Sequence, residues 1–395
     1  MSVDAVTLRV VSGALRAACE EMGAVLIKAS HSANIKERRD ASCALFDPRG
    51  AMVMQAEHIP VHLGAMPAAV EAVVGEQHAP GRSWVLNDPY RGGTHLPDIT
   101  VITPAFTADG ELLGFAANRA HHADVGGPTP GSMPADSTTL ADEGVVIAPR
   151  PLDEAAIAEL VPQMRQPAQR RADLRAQLAA NATGVARLLE LHARTDLAAA
   201  MAETIDYAER RMRACLAALP DGTRGAADGR LEPEREIALA RLEQVRGDEL
   251  TLDFSGSAPQ HGGNLNCPLS VTRSACWFAV RVLTDPDIPP AAGAYRPVRV
   301  EAPDGSLLAG GGSVGETGGF GRSEPYGPPR DVPPPADLHG STHLDLTIED
   351  PAYGNGPTRR FHFVLDCDGG ASAMPSDAPP SQSRTKWKRR VGPLP

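Results

Sequence analysis

A predicted β-hairpin over residues 98–120 constrains the fold of this chain more than any other segment. Residues 98–106 (DITVITPAF) are mostly β-branched or apolar, residues 107–110 (TADG) have the composition of a turn, and residues 111–120 (ELLGFAANRA) predict the returning strand. A turn at 107–110 pairs residues whose numbers sum to about 217. This register would place Asp98 opposite Arg119.

The open end of this hairpin gathers side chains that bind metals. His95 and Asp98 stand at the start of the first strand, and His121, His122 and Asp124 follow the second. Imidazole nitrogens and carboxylate oxygens without a thiolate are the ligand mixture of a catalytic divalent-metal site. A single His-X-X-Asp pair is more often a surface or hydrogen-bonded pair, so the prediction depends on the hairpin bringing the two groups together.

Composition and charge exclude several classes of protein. The chain has 395 residues, 42% of them hydrophobic, and a net charge of -11, which argues against nucleic acid or an anionic membrane as the main partner. The first 30 residues mix charged with apolar positions, and the chain has no apolar run of 18 residues, so a cytoplasmic location is expected. The six cysteines show no Cys-X-X-Cys spacing, which favours reduced thiols.

The patterning along the chain predicts an α+β protein with mixed or antiparallel sheets and a helical middle. We divide the chain into an N-terminal α+β domain (1–150) that carries the metal-site hairpin, a helical segment (151–218), a second α+β region (219–308) and a tail (309–395). Glycine and proline make up roughly 30% of the tail, a level at which ordered packing is not expected.

Within the first domain, apolar residues at helical spacing predict a helix over 5–29, and residues 41–46, 51–55 and 83–86 predict strands. A short helix over 65–76 is expected to start at Pro67, which leaves His58 and His62 in the loop before it. Either histidine could face the metal site or hydrogen-bond a nearby carbonyl.

Five long motifs then occur in a recognisable order. They are NIKERRDASCALFD (34–47), AEHIPVHLGAMP (56–67), NDPYRGGTHLPDIT (87–100), NRAHHADVGGPTPGSMP (118–134) and GNLNCPLSVTRSA (263–275). Over about residues 5–308 the chain resembles the hydantoinase B/oxoprolinase family, which includes N-methylhydantoinase beta subunits and the corresponding part of 5-oxoprolinase. The alpha subunits of acetone-type carboxylases are more distant members.

The resemblance implies a metal-bearing subunit of an ATP-dependent cyclic-amide hydrolase. A separate hydantoinase A-like ATPase subunit would phosphorylate the small ring substrate, so a hetero-oligomer is expected. In the carboxylase relatives this subunit type holds manganese, and the matching pattern here is His95, Asp98 and His121, with the adjacent His122 as the alternative downstream ligand. Zinc, iron and magnesium stay open as alternative metals. His122 and Asp124 are then expected beside the ligands or as acid/base groups.

Three asparagines would suit a cyclic amide, because each amide offers both donors and acceptors: Asn118, Asn264 and Asn266. Two other functions stay open. One is an acetone-type carboxylase subunit, and the other is an inactive fragment that only binds its partner. The inactive fragment is considered because residues 309–395 lack the motifs with which family members continue, and a truncated or frame-shifted reading would explain that loss.

Overall fold

The structure is a computed structural model of the chain. It describes residues 3–132, 134, 137–228, 239–260, 266–310, 341–348, 359–366 and 371–375. Within them the helices are α1 (Ala5–Ala29), α2 (Ala33–Lys36), α3 (His62–Val74), α4 (Glu154–Leu160), α5 (Pro167–His192), α6 (Leu197–Ala217), α7 (Leu269–Leu283) and α8 (Ala292–Tyr295).

The strands come in three groups along the chain. The first group is β1 (Ala41–Phe46), β2 (Met52–Glu57), β3 (Ser83–Leu86), β4 (Asp98–Phe106), β5 (Leu112–His121) and β6 (Arg150–Leu152). The second is β7 (Gly222–Asp228), β8 (Leu239–Arg246), β9 (Glu249–Asp253) and β10 (Val298–Glu301). The third is β11 (Ser341–Ile348), β12 (Arg359–Asp366) and β13 (Ala371–Pro375). This combination confirms the predicted α+β class.

A six-stranded antiparallel sheet forms the centre of the N-terminal region, in the order β2-β1-β5-β4-β3-β6. Helices α1 and α5 pack on one face, and α3 packs on the other. Because successive side chains of a strand point to opposite faces, each strand sends one set of residues toward α5 and the other toward α3. The face that a residue occupies therefore decides whether it reaches the site described below.

The hairpin prediction is confirmed in its strands and wrong in its register. Asp98 pairs with His121, not with Arg119, because the loop spans residues 107–111 and the pairing shifts between Ala105 and Phe106. Gly114, at this irregularity, has φ of +146°, and a Cβ there would lie 2.1 Å from the carbonyl oxygen of Phe46. The shift brings a carboxylate and an imidazole directly opposite each other.

Of two helix boundaries in this region, one differs from the prediction and one agrees with it. Helix α3 begins at His62 and not near residue 65, so Pro67 lies inside it and His62 occupies its first turn. The predicted helix at the N-terminus is observed over the same residues, Ala5–Ala29, and its Asp4 side chain caps the first turn by accepting from the backbone N–H groups of Val6 and Thr7.

The later regions pack against this core. Strands β10, β9, β8 and β7 form a mixed sheet in that order, with β10 parallel to β9. Helix α7 lies on α3, where the Gly64 N–H donates to Ser274 Oγ at 2.8 Å and Ser270 Oγ donates to the Gly93 carbonyl at 3.1 Å. The start of α7 thereby contacts the loop that precedes β4. In the tail, the structure describes the antiparallel sheet β11-β12-β13. The other tail residues to which the prediction of poor order applies lie outside the described residues.

Candidate metal centre

Three neighbouring strands deliver side chains to one end of the central sheet. Asp98 is the first residue of β4 and His121 is the last residue of β5, directly opposite it. Asp40 immediately precedes β1, on the other side of β5, and its carbonyl oxygen accepts the His121 N–H at 3.1 Å. The alternation of each strand turns all three side chains toward the α3 face.

Two histidines complete the cluster from outside the sheet. His62, in the first turn of α3, has its Nε2 at 3.2 Å from Asp98 Oδ2 and its Nδ1 at 2.9 Å from Ser42 Oγ. His95 comes from the loop before β4, with its Nδ1 at 3.5 Å from Asp98 Oδ2 and its Nε2 at 3.1 Å from His121 Nδ1. Only His95 keeps appreciable exposure, 15% of its side chain, so it marks the open side of the cluster.

Asp98 lies at the centre of the cluster. Its Oδ2 accepts a short hydrogen bond from the Thr94 hydroxyl, in addition to the contact with His62. Its Oδ1 lies 3.5 Å from His121 Nδ1 and makes no hydrogen bond within the residues that the structure describes. A fully buried carboxylate oxygen without a hydrogen bond is costly, and a cation beside it would remove that cost.

The ligand atoms are spaced for a shared ion. Two groups of three, His95/Asp98/His121 and Asp40/His62/Asp98, each offer atoms within 4.8 Å of one another, with Asp98 common to both. Two atoms that each lie about 2.1 Å from one ion are about 3.0 to 3.4 Å apart. The separation between His95 Nε2 and His121 Nδ1, 3.1 Å, lies within that range, and that between His121 Nδ1 and Asp40 Oδ2, 3.6 Å, is slightly longer. The two imidazoles thus have the spacing of ligands of one divalent cation, and a small movement of the Asp40 side chain would add its carboxylate to the set.

Burial sets the protonation of these groups. Desolvation lowers the pKa of His95 to about 4 and lowers the pKa of His62, despite the opposing attraction of Asp98. For Asp98, burial opposes ionisation, but the neighbouring imidazoles of His95, His62 and His121 hold its pKa well below the usual range. At neutral pH, His62 and His95 are therefore uncharged and Asp98 is ionised, which are the states that ligate metals.

Two predicted site residues lie on the opposite face of the sheet. His122 is fully buried against α5, with its Nε2 at 3.0 Å from Gln177 Oε1. Asn118 is also fully buried and donates from Nδ2 to the Gln177 carbonyl and to Asn181 Oδ1, both at 2.7 Å. The parity of β5 explains both placements, because residues 118 and 122 alternate with His121. Neither side chain joins the cluster.

Asp124 is separated from the cluster by its own loop. Its carboxylate accepts from the N–H groups of Gly126 and Gly131 and from Ser132 Oγ, each at 2.9 Å, and pairs with Arg165. These contacts hold the 124–132 loop in shape.

The remaining predicted residues have separate positions. Asn266 is partly buried in the segment that leads into α7, and Asn264 lies outside the described residues. His58, one of the two histidines left open, is exposed, and its ring lies against Gly23 of α1. His62 is therefore the one of that pair that reaches the cluster.

Sequence reasoning missed Asp40. The sequence does place an acidic residue directly before a predicted strand. Whether that residue reaches the metal cluster, however, depends on which strand pairs with β5. The order β1-β5-β4 places a strand from far upstream in the sequence next to the hairpin. A single sequence does not reveal that long-range pairing.

Comparison with known proteins agrees with the resemblance noted from the motifs. The model of the hydantoinase B/oxoprolinase family matches residues 4–313. The 5-oxoprolinase of Saccharomyces cerevisiae is 36% identical over 334 residues, covering 78% of this chain and 26% of that protein. A putative D-/L-hydantoinase subunit of Pseudomonas sp. is 31% identical over 336 residues, covering 77% of this chain and 57% of that protein.

Solved structures give the same picture. The ATP-dependent caprolactamase from Pseudomonas jessenii superposes with a TM-score of 0.74 at 32% identity, covering 78% of this chain and 56% of that chain. The nucleotide-free structure of acetone carboxylase, at 19% identity, shares the fold with a TM-score of 0.68 and covers 77% of this chain and 44% of that one. The chain thus spans between about a quarter and just over half of the curated relatives it matches. No helix in the described part of the chain has the length and apolarity to cross a membrane.

Proposed function

Because the chain belongs to the hydantoinase B/oxoprolinase family, we propose that it is the metal-bearing subunit of an ATP-dependent cyclic-amide hydrolase. Its substrate would be a hydantoin or 5-oxoproline ring, and a hydantoinase A-like subunit would supply the ATPase. The observation that carries the proposal is the cluster of Asp40, His62, His95, Asp98 and His121 at one end of the central sheet.

The cluster mixes nitrogen and oxygen donors without a thiolate, which suits a divalent cation. The resemblance to the carboxylases makes manganese the first candidate, with zinc, iron and magnesium as alternatives. His95, Asp98, His121 and Asp40 would hold the ion. A divalent cation there would polarise a carbonyl and lower the pKa of a bound water from about 15.7 toward 7.

The chain's own residues have separate parts in this scheme. His62 fixes Asp98 by donating from Nε2, while its Nδ1 accepts from the Ser42 hydroxyl, so the ring keeps one tautomer. Thr94 donates its hydroxyl to the same carboxylate oxygen. His95 is uncharged at neutral pH, as a ligand must be, and it faces the open side of the cluster, so the ion that it would hold would be accessible to the substrate.

A partner that spends ATP follows from the chemistry of the ring. An amide carbonyl resists attack because resonance with nitrogen lowers its electrophilicity, and O-phosphorylation would convert it into a better acceptor with a good leaving group. The cluster would then promote attack on that activated group. The Pseudomonas relative is named as one subunit of a hydantoinase, which supports a two-subunit arrangement for this chain.

The test is to co-express the chain with a hydantoinase A-like subunit and measure metal content by element-resolved mass spectrometry. The same preparation is assayed for ATP-dependent opening of 5-oxoproline and hydantoin rings. We expect bound metal and ring opening, and loss of both in Asp98→Asn. Asn181→Ala, on the α5 face, is the matched control and should keep its metal. Metal-replete complex that opens neither ring would contradict the proposal, and bicarbonate-dependent ATP consumption with a ketone would favour the carboxylase alternative.

A further inference from the structure

Arg119 is a fully buried arginine in β5 on the same face as the cluster. Its Nε donates to Thr100 Oγ1 at 2.7 Å, and its Nη2 donates to the carbonyl oxygens of Gly92 at 2.6 Å and Ala65 at 3.3 Å. An arginine guanidinium stays charged in proteins. One planar group thus contacts three separate segments of backbone and side chain.

Each of those segments carries a member of the cluster. Thr100 lies two residues after Asp98 in β4, and Ala65 lies three residues after His62 in α3. The two contacts therefore connect β4, which carries Asp98, to α3, which carries His62. Both partners face Arg119 from the α3 side of the sheet.

The third segment and the arginine's own strand complete the set. Gly92 lies three residues before His95, and Arg119 lies two residues before His121 on the same face of β5. Gly92 has φ of +93°, and a Cβ there would lie 2.5 Å from the Ala68 carbonyl oxygen, so this loop is packed tightly against α3. The guanidinium consequently joins all four elements that supply His62, His95, Asp98 and His121.

We propose that Arg119 is a positioning residue that fixes the spacing of the metal ligands without binding the metal. The inference rests on the proposed metal centre. A guanidinium suits this role because its donors lie in one rigid plane, whereas a lysine ammonium is a point charge on a flexible stem. Its positive charge also compensates the buried Asp98 carboxylate.

A purely structural role for a buried arginine is the alternative, and the chain offers a matched control. Arg170 is also fully buried, and it pairs with Asp173 at 3.1 Å. It belongs to α5, on the opposite face of the sheet, and hydrogen-bonds Ser32 and Gln169 but no member of the cluster. Replacing Arg170 therefore reports the general cost of removing a buried arginine.

The experiment uses the full chain with its ATPase partner, stripped of metal and titrated with Co²⁺. The dissociation constant and the visible absorption spectrum of the bound Co²⁺ are measured for wild type, Arg119→Met, Arg119→Lys and Arg170→Met. We expect both Arg119 variants to bind Co²⁺ about 10- to 100-fold more weakly, with an altered spectrum, because residues that orient ligands typically have effects of this size. Arg170→Met should keep the wild-type affinity and spectrum even where it lowers the melting temperature more.

If the Arg119 variants fail to fold, Thr100→Val tests the same positioning role through one of the hydrogen bonds of Arg119. This nearly isosteric change removes the acceptor of Nε alone, and a shifted Co²⁺ spectrum is expected. Folded Arg119 variants with wild-type affinity and spectrum would overturn the positioning role and leave the metal centre intact. Equal changes in the Arg170 and Arg119 variants would also overturn it. Wild-type complex that binds no Co²⁺ would overturn the metal centre and this role together.

Discussion

Lowering the pH from 7 to 5 should destabilise the metal-free protein, because buried neutral histidines must take up protons when it unfolds. Desolvation lowers the pKa of His95 and of His122 from 6.5 to about 4. The unfolded chain then binds more protons than the folded chain between these values. This contribution to stability is complete above the unfolded pKa and is lost as the pH falls toward the folded one.

The size of the effect follows from those two values. A histidine with a pKa of 6.5 unfolded and about 4 folded costs about 2 kcal/mol of unfolding free energy between pH 7 and pH 5. His122 is fully enclosed, whereas 15% of the His95 side chain is exposed and solvent reduces its share. We therefore expect a loss of about 3 kcal/mol from the pair.

The assay is guanidinium-induced unfolding at both pH values in the presence of a chelator, with wild type compared against His122→Gln. Burial raises the pKa of Asp88 and Glu143, and these groups stabilise the folded protein as the pH falls, which opposes the effect of the histidines. Comparing the loss of stability in the two proteins therefore isolates the contribution of His122. The pH-dependent loss should be about 2 kcal/mol smaller in the variant. Equal losses in the two proteins would refute a buried, neutral His122.

Three further predictions concern the site and its supports. His62→Asn should weaken metal binding about 10- to 100-fold by releasing Asp98, measured by competitive chelator titration; unchanged affinity would contradict the orienting role. Gly92→Ala should lower the unfolding free energy by about 2 kcal/mol or more, since its φ is +93° and the new Cβ would meet Ala68; a stable, metal-replete variant would show that this loop tolerates movement. Asp124→Asn should retain wild-type metal content by elemental analysis, because within the described residues its carboxylate contacts its own loop and Arg165 and no cluster member; loss of metal would show that Asp124 supports the site.

Local patterns predicted most elements well. Apolar residues at helical spacing predicted the first helix, and apolar strands around a turn sequence predicted the hairpin. The start of α3 was harder, because Pro67 is usually a helix-start signal and here lies within the helix. Tertiary packing of α3 between the sheet and α7 outweighs that local preference.

The sequence by itself determined that His95 and Asp98 would lie near the histidines after the second strand, because both strands belong to one local hairpin and their ends must lie together. Only the tertiary structure decided the other members. Asp40 reaches the cluster through the pairing of β1 with β5, and His62 through the packing of α3 on the sheet. The register, set by a loop one residue longer than predicted and by the shift beside Phe106, moved the partner of Asp98 by two residues, from Arg119 to His121. A strand has a side-chain period of two, so this shift kept His121 on the face of Asp98 and His122 on the other, while the position along the strand depended on contacts that no local pattern records.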